Sequence, residues 1–208
     1  NHDTKIKPDF LDQHDEEGGS RRKLTNWNLK LVGSIAVFWS LFQLWYASPL
    51  PFILDFGKFI DVPARAIHLA FGMTLCFLAY PALKSDRDKK ISLIDFVFVA
   101  IALTATLYLY LDYEGLVYRQ GILANLEIFG FRIPYELILG LFGIVLLLEA
   151  TRRAIGIPLV VIALIFLLFS IFGQIMPHLI SHQGLSFTRL VGYHWFGGEA
   201  IFGIPISV

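Results

Sequence analysis

Residues 91–110 read ISLIDFVFVAIALTATLYLY, twenty positions that carry a single charge, Asp95. At about 1.5 Å per residue, a helix of that length covers the roughly 30 Å of hydrocarbon in a bilayer. The run does not alternate in polarity, so it does not read as a strand of a membrane barrel. A helix satisfies its own backbone in lipid, which offers no partner to a bare N–H or C=O. This stretch therefore predicts a membrane-spanning helix, and the search for others runs outward from it.

Similar apolar runs flank it. One extends from about Leu29 to Leu50 and a second from Val62 to Leu83; a fourth covers Tyr135 to Ala150, and a fifth Ile157 to Met176. The fourth is short on its apolar stretch alone and needs its flanks to reach the interface. The predicted class is an all-α integral membrane protein with about five transmembrane helices. Over the whole chain of 208 residues, 56% are hydrophobic and 16% charged, against about 25% charged in an ordinary soluble domain. Net charge is zero, which gives no reason to expect a nucleic-acid partner.

Local signals set the boundaries. Asp61 is placed to cap the second helix and Pro63 suits its first turn, while Pro177 closes the fifth. Trp27, Trp45, Tyr46, Tyr110 and Tyr113 stand where headgroup-level aromatics belong. Residues 1–23 are polar and of mixed charge, and read as a flexible tail. Leu116, Ile122, Leu123, Leu126 and Phe129 have partial helical periodicity within 114–134, which predicts an outer interfacial helix. Ser186 is placed to cap a helix beginning near Phe187.

Charge asymmetry sets the expected orientation. The tail and the start of the first helix, the second connection (Lys84, Arg87, Lys89, Lys90) and the fourth (Arg152, Arg153) hold 12 of the 17 lysines and arginines. These regions fall on one side, which predicts a cytoplasmic N-terminus and a fifth helix that exits outward.

Few motifs carry chemistry. There is no Gly-rich phosphate loop with a lysine, no Gly-x-Ser-x-Gly and no paired cysteine; the single Cys76 lies in an apolar run and reads as a buried, inert thiol. Glu149, Arg152 and Arg153 form an i, i+3, i+4 group at the end of the fourth helix. They read either as an anchor with local pairing or as a contact to a neighbouring domain. Arg65 is one turn from Asp61, and Asp95 is close to Lys90 and Arg87 for interfacial pairing. His68 reads first as a helix–helix hydrogen-bonding group. With His178 and His182 it also defines an alternative, a haem-binding membrane redox subunit held by axial imidazoles. A membrane hydrolase using His68 or Glu149 ranks below both, since no nucleophile or zinc-ligand pair lies at a matching depth.

Four segments carry a resemblance: Asp112-Tyr-Glu-Gly-Leu-Val-Tyr-Arg-Gln-Gly121, Leu147-Leu-Glu-Ala-Thr-Arg-Arg-Ala-Ile-Gly156, His182-Gln-Gly-Leu-Ser-Phe187 and Gly198-Glu-Ala-Ile-Phe-Gly-Ile-Pro205. Together they resemble the fused permease subunit of tripartite ATP-independent periplasmic (TRAP) transporters, of the TAXI type. The resemblance covers most of residues 25–208. It implies a cytoplasmic tail over 1–23, a small four-helix scaffold domain over 24–153, a connector helix over 154–177 and the start of a large transport domain over 178–208. It further implies uptake of an organic anion across a bacterial or archaeal inner membrane, driven by sodium and supplied by a periplasmic substrate-binding protein. The sodium ions and the substrate belong to the large domain beyond these residues, so the segment itself is expected to bind no cofactor and to catalyse nothing. Glu149, Arg152 and Arg153 become candidate interdomain contacts, and 114–134 part of the surface offered to the binding protein.

Overall fold

The computed structural model describes residues 21–24, 26–83, 90–119, 122–128, 131–198 and 200–203. The acidic tail before residue 21, the basic connection 84–89 and Phe129 lie outside them. Helix α1 spans Asn26–Ala47 and stops before the Ser48-Pro49 pair, where the residue preceding proline is pushed out of helical geometry. The short α2, Leu50–Ile53, follows with proline in its first turn. Helix α3, Asp61–Ala79, ends at an extended Tyr80 ahead of Pro81, earlier than the apolar run alone suggested. Its cap position is Ile60, not Asp61, and it makes no side-chain cap bond. The Asp61 carboxylate instead accepts from Tyr46 at 3.2 Å and pairs with Arg65 at 3.6 Å.

Helix α4, Leu93–Leu111, opens on a reciprocal cap: Ser92 accepts from Ile94 N–H at 3.3 Å, and Asp95 accepts from Ser92 N–H at 3.2 Å. Helix α5 is only Tyr113–Tyr118, and a two-stranded antiparallel hairpin follows, β1 Leu126–Ile128 with β2 Phe131–Ile133. The interfacial helix expected within 114–134 is therefore limited to α5, and Leu126 lies in a strand. Leu-Glu-Ile and Phe-Arg-Ile alternate in polarity, a period-two pattern that suits a strand, and Glu127 faces Arg132 across the pair at 2.9 Å. Helix α6 runs Tyr135–Ala154 and α7 Ile157–Ile171. The fifth apolar run breaks at Phe172, before Pro177, and passes into a 3-10 turn over Gly173–Ile175. The chain folds back there: Leu185 N–H donates to Ser170 O at 2.8 Å and His182 N–H to Gly173 O at 3.1 Å. Gly173 leaves the room for this, since a Cβ on it would lie 2.2 Å from the His182 ring. Ser186 caps α8, Phe187–Val191, and a single π-helical turn covers Gly192–Phe196.

Helices α1, α3 and α4 are each long and apolar enough to cross a membrane. Helix α6 has the length, 20 residues, but carries Glu136, Glu149, Arg152 and Arg153 near its ends; α7 has 15 residues. In α3, 56% of the membrane-length window is covered by protein, against 6% in α1, so α3 is the central column and α1 an edge. Ala102 and Ala105 of α4 are fully buried, and such small residues let helices approach closely. Met73, Phe77, Leu109, Ile144 and Leu146 fill the core around them. The segment after α8 completes it. Trp195 is fully buried against Gly143 of α6, Val191 and Phe196 pack at Gly140, and the Trp195 indole N–H donates to Ala105 O at 3.3 Å.

Candidate functional site

Ionisable groups gather at the two ends of the bundle. At one end the α3 C-terminus, the α4 N-terminus, the α6 C-terminus and residues 21–24 converge. Asp95, 2% exposed, accepts from Arg22 Nη2 and from Arg153 Nη1, each at 2.7 Å. Arg153 Nε donates to Glu149 at 2.8 Å, and Arg152 holds the same carboxylate through two bonds of 2.7 and 2.8 Å. Backbone carbonyls add to the array: Arg152 reaches Ala82 O at 3.0 Å, Arg153 reaches Tyr80 O at 3.3 Å, and Arg22 N–H donates to Ala79 O at 2.8 Å. The Arg153 guanidinium also lies over the rings of Phe77 and Phe98, 5.1 and 5.4 Å from their centroids.

The expected pairing inside Glu149-Arg152-Arg153 is thus present, and the structure extends it to two further elements. Asp95 does not pair at the interface with Lys90, which is exposed; it turns inward to Arg22 and Arg153. Helical register is the reason. Asp95 shares a stripe with Ala102, Thr106 and Leu109, and Arg153 shares one with Leu146 and Ala150, all buried.

At the other end Glu136, with no exposed surface, accepts from Tyr108 Oη and Arg119 Nη2, each at 2.5 Å, and from the Ala124 backbone N–H. Arg119 also donates to Asp112 at 2.9 Å. Burial works against the Arg119 charge, but the Asp112 hydrogen bond and the Glu136 carboxylate outweigh it and raise its pKa further. Glu136 was not singled out in the sequence. Its signal was register, four residues before Gly140 and eight before Ile144 on the buried stripe of α6.

The histidines do not face one another. His68 takes its expected helix–helix role: its Nδ1 is 3.3 Å from Trp39 Nε1 and also meets Gln43, both on α1. His178 is exposed in the turn after α7. His182 has both ring nitrogens in use, Nδ1 accepting from Gly184 N–H at 3.0 Å and Nε2 bonded to Phe169 O at 3.1 Å. Among the described residues no group of three His, Cys, Asp or Glu side chains comes together as a metal-ligand set. The half-buried Cys76 thiol donates to Ala150 O at 3.2 Å. Arg65 Nη1 donates to Phe202 O at 2.7 Å, which ties α3 to residues 200–203. No family model, no curated protein and no solved structure matches the chain.

Proposed function

We propose that this chain is the scaffold part of a TRAP-type secondary transporter for organic anions, and performs no catalysis. The observation that carries the reading is where the charge is spent. The buried carboxylates Asp95 and Glu136 are each consumed by arginines at an end of the bundle, and the core between them is Ala, Leu, Met, Phe and Ile. Such a body braces; among the described residues the buried ionisable side chains stand at the ends of the bundle and not in a line through it. The four segments quoted above supply the family reading, and positive charge at the Arg22/Arg152/Arg153 end supports a cytoplasmic N-terminus in a bacterial or archaeal inner membrane.

In this reading α1, α3, α4 and α6 cross as the small domain and α7, extended by its 3-10 turn, crosses as the connector, which makes five spans. Sodium and substrate sites lie in a large domain beyond. Arg152, the more exposed of the two arginines, and its partner Glu149 offer a contact to that domain, while Arg153 holds the bundle itself. The α5 helix and the hairpin offer surface to a periplasmic binding protein.

Reconstitution tests this. Vesicles containing residues 1–208, supplied with a sodium gradient and a substrate-loaded binding protein, take up no organic anion. Uptake by this segment alone refutes the scaffold assignment. Reading the coding sequence past Val208 tests the family: a large hydrophobic transport domain supports it, and an unrelated soluble domain refutes it.

A further inference from the structure

A groove of about 450 Å³ opens between α5 and the α8/π-turn segment, at the end of the bundle where α4 finishes. That volume falls in the range of small-molecule sites, about 300–1,000 Å³. Buried Leu116 and Phe196 line it together with Leu185, and half-exposed Tyr193 and Tyr113 stand beside them. Val117, Gly192, Gly197 and Gly198 complete the apolar lining. One charged side chain lines it, Arg189.

That arginine is unlike its neighbours in sequence. Arg22, Arg65, Arg119, Arg132, Arg152 and Arg153 each stand within 3.6 Å of a carboxylate. Arg189 is exposed, and its guanidinium has no acidic partner among the described residues. A cation with no acidic partner among the described residues, beside an apolar trough, suits a ligand with an anionic head and an apolar body. The depth narrows the choice further. Helix α5 begins two residues after the last residue of α4, so the groove sits at the boundary of a span, where headgroups lie and where Tyr side chains are favoured. The ligand available at that depth is a phospholipid of the adjacent leaflet.

We propose that this groove is a binding site for an anionic phospholipid, its phosphate on the Arg189 guanidinium and the upper part of an acyl chain against Leu116, Leu185 and Phe196. The proposal rests on the membrane reading and is independent of the transporter reading, because its test involves no uptake.

The test titrates the purified chain in detergent with phosphatidylglycerol or phosphatidylcholine and counts bound lipid by native mass spectrometry. The first phosphatidylglycerol adduct is expected to bind about tenfold more tightly than the phosphatidylcholine adduct, the scale of one charge-assisted contact. Arg189→Gln should abolish that preference, while Lys58→Gln, in a separate groove, should preserve it. Val117→Trp, at an exposed wall position, should weaken both lipids by filling the trough. An unchanged preference in Arg189→Gln overturns the proposal, as does equal retention of the two lipids by the unmodified chain. Inorganic phosphate added alone should not displace the lipid; complete displacement would show a simple anion site and overturn the acyl part.

Discussion

Replacing Asp95 by Asn tests the bundle at its most connected point. The side chain is 3% exposed and binds two arginine side chains that are themselves 3% and 1% exposed, so nearly all of this charge is held out of water. Among Arg22, Asp95, Glu149, Arg152 and Arg153 there are three cations and two anions. Removing one anion leaves Glu149 to face three arginines. Breaking a buried pair by removing one partner costs about 3–5 kcal/mol, because the remaining charge is left uncompensated. Asn can still accept from Ser92 N–H, so the helix cap is kept and the loss is electrostatic. Asp95→Ala loses the cap as well, worth about 1 kcal/mol more. For a chain of this size a loss of about 3 kcal/mol corresponds to a fall of roughly 6–12 °C in Tm. Thermal unfolding in detergent, followed by intrinsic tryptophan fluorescence, reads it. The triple variant Arg22→Met/Asp95→Leu/Arg153→Met should recover part of the loss, since apolar groups replace a buried ion triad well. A Tm for Asp95→Asn within about 1 °C of the parent, well below the shift expected from that loss, would refute the reasoning, because it would mean that water already screens these arginines.

Two further outcomes follow from the packing and the opposite cluster. Gly143→Ala would put a Cβ 2.3 Å from the Trp195 ring, so we expect about 1–3 kcal/mol of overpacking and a shifted tryptophan emission. Gly33→Ala, with nothing within 4 Å, should be neutral or stabilising on the same scan. Glu136→Gln leaves Arg119 with Asp112 alone and weakens the hold on the Ala124 backbone; hydrogen exchange should rise across residues 119–128 while the α3–α4 core stays protected. Uniform protection across both regions would count against Glu136 as the clamp.

Much of the helical order was readable because burial in lipid and burial in protein both demand apolar runs of a set length. The runs at 29–50, 62–83, 91–110 and 135–150 each correspond to a helix, displaced by a few residues where Pro49 and Pro81 end it early. The Ser186 cap was equally legible, being local chemistry. The hairpin differs from the expected helix because five apolar residues over 116–129 imitate a helical period, while the triplets 126–128 and 131–133 each alternate. The break at Phe172 was missed because nothing in an apolar run announces that His182 will pack on Gly173.

The sequence by itself determined that this chain carries helices long and apolar enough to cross a membrane: composition and the length of its apolar runs are one-dimensional properties. Only the tertiary structure decided which charges are neutralised and by whom. Asp95 meets Arg153 58 positions away and Arg22 73 positions away, and no local spacing encodes a contact made by the crossing of helices. It also decided that the segment after α8 completes the core, since Trp195 packs on α6 where Gly143 leaves room, and Val191 and Phe196 where Gly140 does.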